Sequence, residues 1–353
     1  MRAKGILFVL AVLLVSLGLS LYQSPPPWPP AASTRGATRE SFGPTALALA
    51  SGQYALVMPQ FKRVELRSIW TNTGPSAVRD LHIYIGVPAT LPEQEIVESA
   101  WSREPSRYSE DRYGQRIAEF EIPSLAPWEA VTIGFTAVGW FWQIKYSIDP
   151  HEVGGLAEVP ADIAQPYTAD GPYYRLADPL ILATAGQVVG EERNPYLMAL
   201  RIHDFVAQAL SYDLDGEWDD APTVLRRGSG SCSEFTFLFI ALARAVGLPA
   251  RYTGGSIYLP HQSRGGTFVD YYNHRWAEVY IPRYGWVPFD PTWDHSGPGQ
   301  PPSQEYVGSH GHALVFSRGD VDERYLGVRY IDAAAGQGLS ELRAERKVVW
   351  SDP

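Results

Sequence analysis

Between residues 50 and 150 apolar and polar positions alternate with a period of two. Leu81, Ile83, Ile85 and Val87 interleave with His82, Tyr84 and Gly86; Val131, Ile133, Phe135 and Ala137 interleave with Thr132, Gly134 and Thr136. Such alternation predicts strands with one buried face. RVELRSIW (63–70) and RIAEFEI (116–122) read the same way, with turns at Asn72-Thr73-Gly74-Pro75 and Tyr113-Gly114. Short strands bounded by turns predict a β-sandwich-like domain over 49–155. The segment GWFW (139–142) reads as sandwich core in preference to an interface patch. From about 165 the period changes: Leu197, Leu200, Ile202, Phe205, Val206 and Leu210 recur at helical spacing. A Gly-Ser-Gly turn then leads into Cys232 and an apolar helix, closed by Gly247 and Pro249. Residues 271–295, YYNHRWAEVYIPRYGWVPFDPTWDH, read as a hairpin. Two final strands, YLGVRYI and RKVVW, are expected in a C-terminal extension, 301–353, that completes the sheet of the second domain.

The N-terminus carries a different pattern. Arg2 and Lys4 precede an uncharged apolar run, GILFVLAVLLVSLGLSL, and no Ala-x-Ala site follows directly. The layout is that of an export signal. Its length favours an uncleaved anchor over a cleaved signal peptide. Residues 25–48, rich in Pro, Ala, Ser and Thr, read as a tether. The folded part is therefore expected outside the cytoplasm, membrane-anchored or else secreted or periplasmic, with the N-terminal segment as its membrane contact.

Composition narrows the function classes. The 353 residues are 45% hydrophobic and 19% charged, enough for a packed core, and the net charge of −10 lacks the basic balance of a nucleic-acid binder. A single cysteine excludes intramolecular disulfides and thiolate-cage metal sites.

That one cysteine stands at a predicted helix N-terminus, where unpaired N–H groups and the helix dipole favour a thiolate. In the hairpin, His274, Trp276, Glu278 and Tyr280 share one strand face. Folding back brings Asp290 opposite Ala277, give or take one residue; slipped by one, it faces Trp276 with His274 as its diagonal neighbour. Cys, His and a carboxylate are what nucleophilic acyl chemistry needs: nucleophile, base, and the group that fixes the imidazole tautomer. Asp294 is a competing carboxylate. A buried inert Cys232 and a satisfied strand His274 are the bland alternatives for each residue taken singly.

Gly230-x-Cys232 with its helix and GLPAR, His274-x-Trp276-x-Glu278, and Gly285-Trp286 followed by Phe289-Asp290-Pro291-Thr292 together resemble the transglutaminase-like superfamily. The resemblance is tight over 196–296 and looser over 165–330. It implies an α+β fold: a papain-like transglutaminase core over 160–300, preceded here by the all-β sandwich-like domain. It assigns Cys232 as nucleophile, His274 as base and Asp290 as orienting acid. In animal crosslinking members a Trp before the Cys helps hold the oxyanion; here the nearest candidate is Tyr212, with Trp218 as an outsider, beside the backbone N–H of Cys232. The implied reaction is thiol-dependent acyl transfer or amide and peptide hydrolysis through a thioester, on a protein or peptide substrate and without a cofactor.

The remaining signals are weaker. His310-x-His312 lacks a third metal ligand at fitting spacing. Gly228-Ser229-Gly230 lacks the third glycine of a dinucleotide loop, and no acidic cluster has EF-hand spacing. Arg244 and Arg251 read as packing or backbone anchors. A non-catalytic anchored binding or assembly protein with a transglutaminase-like shell is the competing function. An arylamine-type acetyltransferase fits poorly with export.

Overall fold

Where the sequence alternates, the chain is extended. A computed structural model describes residues 53–214, 218–319, 329–332 and 339–353. The N-terminal apolar run, the tether and part of YLGVRYI lie outside the described residues. Among the described residues no helix is long and apolar enough to cross a membrane.

The first stretch forms β1 (Tyr54–Asn72), β2 (Val78–Gly86), β3 (Gln94–Trp101), β4 (Arg107–Glu110), β5 (Arg116–Leu125) and β6 (Ala130–Tyr146). Helices follow: α1 (Ala161–Tyr167), α2 (Pro179–Val189) and α3 (Pro195–Ala209). After the short β7 (Ser211–Tyr212) come α4 (Ala221–Arg227), β8 (Ser229–Gly230) and α5 (Cys232–Ala245). The remaining strands are β9 (Ala250–Ile257), β10 (Phe268–Asp270), β11 (His274–Ile281), β12 (Gly285–Phe289), β13 (Ser309–His310), β14 (Ala313–Gly319), β15 (Arg329–Asp332) and β16 (Leu342–Ser351).

Three main sheets result. One runs β10-β16-β1-β6-β13, with β3 also on β6; a second runs β15-β2-β5-β4. Val64, Leu66, Ile133 and Phe135 of the first share a core with Leu81, Ile83, Ile85 and Phe120 of the second. These are the inward positions of the period-two pattern, as a sandwich requires. The third sheet, β12-β11-β9-β14, carries the helical layer on one face.

The sandwich is not the contiguous 49–155 segment that the sequence suggested. Its first sheet takes β10, β13 and β16 from beyond residue 267, and its second takes β15. The C-terminal extension is thus divided: β14 completes the core sheet, whereas RKVVW, within β16, pairs antiparallel with β1. Val348 and Trp350 point into the sandwich core and are fully buried. The physical reason is the long β1, whose edge would otherwise expose unpaired backbone groups. GWFW is also divided. Phe141 is buried, while Trp140 and Trp142 alternate outward, Trp140 against Phe61 at 4.9 Å between ring centres.

Candidate active site

α5 begins at Cys232 because the turn before it is tied down. The carboxylate of Glu234 accepts the Ser231 N–H at 2.7 Å and, through its other oxygen, the Asp219 N–H at 3.3 Å and Arg227 at 2.6 Å. Gly230 pairs in parallel register with Tyr212. A Cβ at Gly230 would lie 2.7 Å from the Glu234 Cβ, so the close approach needs glycine. Downstream, α5 is held by an apolar face. Phe235, Phe239 and Leu242 share a core with Ala277 and Val279 of β11 and with Val287 and Phe289 of β12. This packing sets the helix start against the head of β11. Cys232 itself stays partly accessible.

The hairpin adopts the slipped register. Ala277 pairs with Phe289, so the next step sets Asp290 level with Trp276 and diagonal to His274. The Nε2 of His274 lies 2.5 Å from Asp290 Oδ2, fully inside the protein. Oδ1 accepts the N–H groups of Thr292 at 3.1 Å and Trp293 at 3.3 Å, which fixes the carboxylate plane. Trp293 stacks on the His274 ring at 4.5 Å and 13°. With Nε2 held by Asp290, the other ring nitrogen is left for the Cys232 thiol, to which the imidazole is electrostatically coupled.

The electrostatics follow from burial opposed by charge. Burial alone would raise the Cys232 pKa, but the neighbouring His274 imidazole, helped by the charge of Arg275, outweighs it and holds the thiol below its ordinary value. Burial would likewise lower His274; Asp290 and the thiol reverse this and push it up to about 10. Burial would raise Asp290, yet His274 and then His310 hold it below the usual carboxylate range. Together these shifts favour a thiolate–imidazolium pair backed by a carboxylate.

The other sequence candidates separate. Asp294 is not a rival partner for His274. Its Oδ2 lies 3.1 Å from His203 Nε2, and its carboxylate also accepts Ser303 Oγ and the N–H groups of Glu305 and Tyr306. It therefore shapes the 294–306 loop. Tyr212 is 45% exposed, and its hydroxyl is pushed up to about 12, by burial first and then by the negative charge of Cys232. It flanks the thiol and keeps its proton as a donor. Trp218 packs edge-on against Tyr173 and Phe237 in the helical layer. Arg244 donates to the carbonyls of Ala250 and Ala169, and Arg251 pairs with Glu278 at 2.6 Å. Three contributors were not identified from sequence: Glu234, Arg275 and Trp293. A glutamate two residues after Cys232, at the third helical position, is the one readable signal, since it is the acidic member of a capping box.

His310 and His312 do not converge. His312 Nε2 meets the Met58 carbonyl at 2.6 Å, whereas His310 turns toward Asp290. Among the described residues two sets of three ligand-type side chains come together: His274, Asp290 and His310, and His82, Glu119 and Glu121. In the first, the short His274–Asp290 bond already joins the facing atoms. In the second, Glu119 is bonded to His82 at 2.8 Å and to the Arg107 guanidinium, a cation that disfavours a second one.

Residues 182–291 match the model of the transglutaminase-like superfamily. The chain shares its fold with the solved structure of a candidate cysteine protease from Cytophaga hutchinsonii, with a TM-score of 0.59 at 17% identity, over 84% of this chain and 91% of that one. The uncharacterized protein YebA of Bacillus subtilis (strain 168) is 37% identical over 78 residues, 20% of this chain and 10% of that protein. An uncharacterized protein of Haemophilus influenzae is 28% identical over 167 residues, 42% and 41% of the two chains. The chain spans less than half the length of these curated relatives.

Proposed function

We propose, for a chain whose residues 182–291 carry a transglutaminase-like core, that it is an extracytoplasmic thiol-dependent hydrolase or acyltransferase of carboxamide or peptide bonds. The observation that carries the reading is His274, buried between the Cys232 thiol and a 2.5 Å contact with Asp290. The Cys232 thiolate attacks a carbonyl carbon. A C–S bond forms and the carbonyl oxygen takes the negative charge, facing the N–H groups at the start of α5 and the Tyr212 hydroxyl. The intermediate collapses, the C–N bond breaks, and the amine leaves with the proton of the His274 imidazolium. The thioester then yields to water, whose proton returns to neutral His274, or to a second amine. Asp290 keeps the imidazole aimed throughout. The partly open thiol supports water as acceptor. The N-terminal apolar run of the sequence supports a place outside the cytoplasm, and proteins or cell-wall peptides as substrates.

The test uses p-nitrophenyl acetate, an acyl donor that any activated thiolate accepts. The wild type is expected to release nitrophenolate in a burst, to carry acetyl on Cys232 by intact mass, and then to turn over. His274→Ala should lose both phases while remaining folded. If wild type is acylated no faster than its urea-unfolded form, the catalytic reading fails and a non-catalytic binding shell replaces it.

A further inference from the structure

His310 is a buried histidine that the reaction above does not use. It ends β13, is 4% exposed, and its ring lies 3.9 Å from that of Trp276, at 21°. Trp293 is nearly parallel to it at 5.7 Å, the same indole that covers His274. Its Nε2 is buried with no hydrogen-bond partner, and the acceptor it faces, at 3.7 Å, is Asp290 Oδ2. That oxygen is the one bonded to His274. A buried polar nitrogen without a partner costs free energy, and a phenyl ring would fill the stack without that cost. The nitrogen is also under an ångström from hydrogen-bond range of a buried carboxylate, and such contacts tighten when a site becomes charged. Behind His310 lies a cavity of about 210 Å³ between the core sheet and β6. Facing His310 are Asp290 and His274 on one side and, across this cavity, Arg251, Glu278, Arg318 and Glu93.

We propose that His310 is a positioning residue for the reaction: its Nε2–H closes on Asp290 Oδ2 and shares that oxygen with His274, fixing the carboxylate behind the imidazolium. Oδ1 is already held by two backbone N–H groups, so His310 completes the restraint of the second oxygen. The stack on Trp276 keeps the second imidazole from rotating away, and the cavity gives it room for the short closing movement. This inference rests on the proposed Cys232–His274–Asp290 chemistry and adds a fourth side chain that touches neither thiol nor substrate.

The experiment compares His310→Phe, which keeps the ring stack and removes both nitrogens, with His310→Gln, which keeps a donor. Each is read by the rate of Cys232 alkylation with iodoacetamide from about pH 5 to 9, by kcat and KM with p-nitrophenyl acetate, and by melting temperature, beside His274→Ala. His310→Phe is expected to lower kcat about tenfold at unchanged KM, the scale of one hydrogen bond to a charged group. Its alkylation profile should move toward that of an ordinary thiol, without loss of melting temperature. His310→Gln should recover part of both. If His274→Ala slows alkylation and His310→Phe leaves rate and profile unchanged, the role of His310 is refuted while the thiol chemistry stands. If His274→Ala also labels like wild type, the thiolate reading itself fails and takes this inference with it. A fall in melting temperature alone, with an unmoved profile in both His310 variants, refutes the proposal in favour of plain packing.

Discussion

The two faces of the sheet β12-β11-β9-β14 are built on different physics. On one, Ala277, Val279 and Ile281 meet the apolar side of α5, dry and fully buried. On the other, one residue out of phase, Trp276 and Glu278 meet charge. Glu278 binds Arg251 at 2.6 Å and Arg318 at 2.8 Å, and Arg318 also binds Glu93 at 3.0 Å. The dry face sets α5, and with it Cys232, against the sheet by volume. The charged face continues upward into His274, Asp290 and His310, where orientation and charge state matter more than volume. Alternation along a single strand thus separates the placing of the Cys232 thiol from the tuning of the His274 imidazole.

Substitutions on the two faces should therefore fail differently. The largest effect is expected from Asp290→Asn. His274 Nε2 would then face an amide able to donate as well as accept, and the imidazole would turn its wrong tautomer toward Cys232. Turnover should fall by about two to four orders of magnitude at nearly unchanged substrate binding, measured as kcat and KM on p-nitrophenyl acetate. Near-normal kcat in a folded Asp290→Asn protein would show that the carboxylate is only structural.

Glu278→Gln tests the charged face lower down. It leaves two buried guanidinium groups without their shared carboxylate, at a cost of roughly 3–5 kcal/mol by chemical denaturation. The pH dependence gives a sharper reading. Burial would raise Glu278, but Arg318 and Arg251 pull it down to about 2. A depressed carboxylate contributes stability that is present above its unfolded value, 4.5, and lost as pH falls toward about 2. The wild type should lose stability across that window, and Glu278→Gln should lose less of it.

On the dry face Ile281→Val removes one buried methylene. It should cost about 0.5–1.5 kcal/mol and leave the Cys232 alkylation profile untouched. A shifted profile would mean that the two faces are coupled more tightly than their chemistry suggests. The smallest effect is expected from Tyr212→Phe. In the proposed reaction its hydroxyl is one oxyanion donor beside backbone N–H groups, on a half-exposed ring, so kcat on p-nitrophenyl acetate should drop by about tenfold or less. No change would leave the backbone as the donor.

Much of this division is legible in the sequence, and unevenly so. The dry face announces itself: Ala277, Val279 and Ile281 alternate, and the apolar run after Cys232 can only be a buried helix. The hairpin left two registers open, and pairing of Ala277 with Phe289 selects the one that aligns Asp290 with His274. The charge network around Glu278 was not legible, because its partner Arg318 lies 40 residues away, Glu93, which Arg318 also binds, lies 185 away, and only the folded sheets bring them together. The same holds for β16, whose alternation says strand but not that its partner is β1, 286 residues earlier where Val64 pairs with Trp350 and 270 earlier where Asn72 pairs with Leu342. His310 looked like half of a weak metal motif, since nothing in a His-x-His spacing tells that His312 turns to the Met58 carbonyl and His310 toward Asp290. Glu234 was readable as a capping residue, yet its hold on Asp219 and Arg227 depends on a loop packed against the helix start.

The central claim is that His274 and Asp290 keep Cys232 ionised in a site that would otherwise protonate it. Titration of the thiolate by its ultraviolet absorbance tests this directly, because the chain has one cysteine and Cys232→Ala supplies a clean baseline. Wild type is expected to titrate well below the ordinary thiol value of about 8.5, and His274→Ala at or above it. A wild-type thiol that titrates at or above about 8.5, unmoved by His274→Ala, would contradict the account.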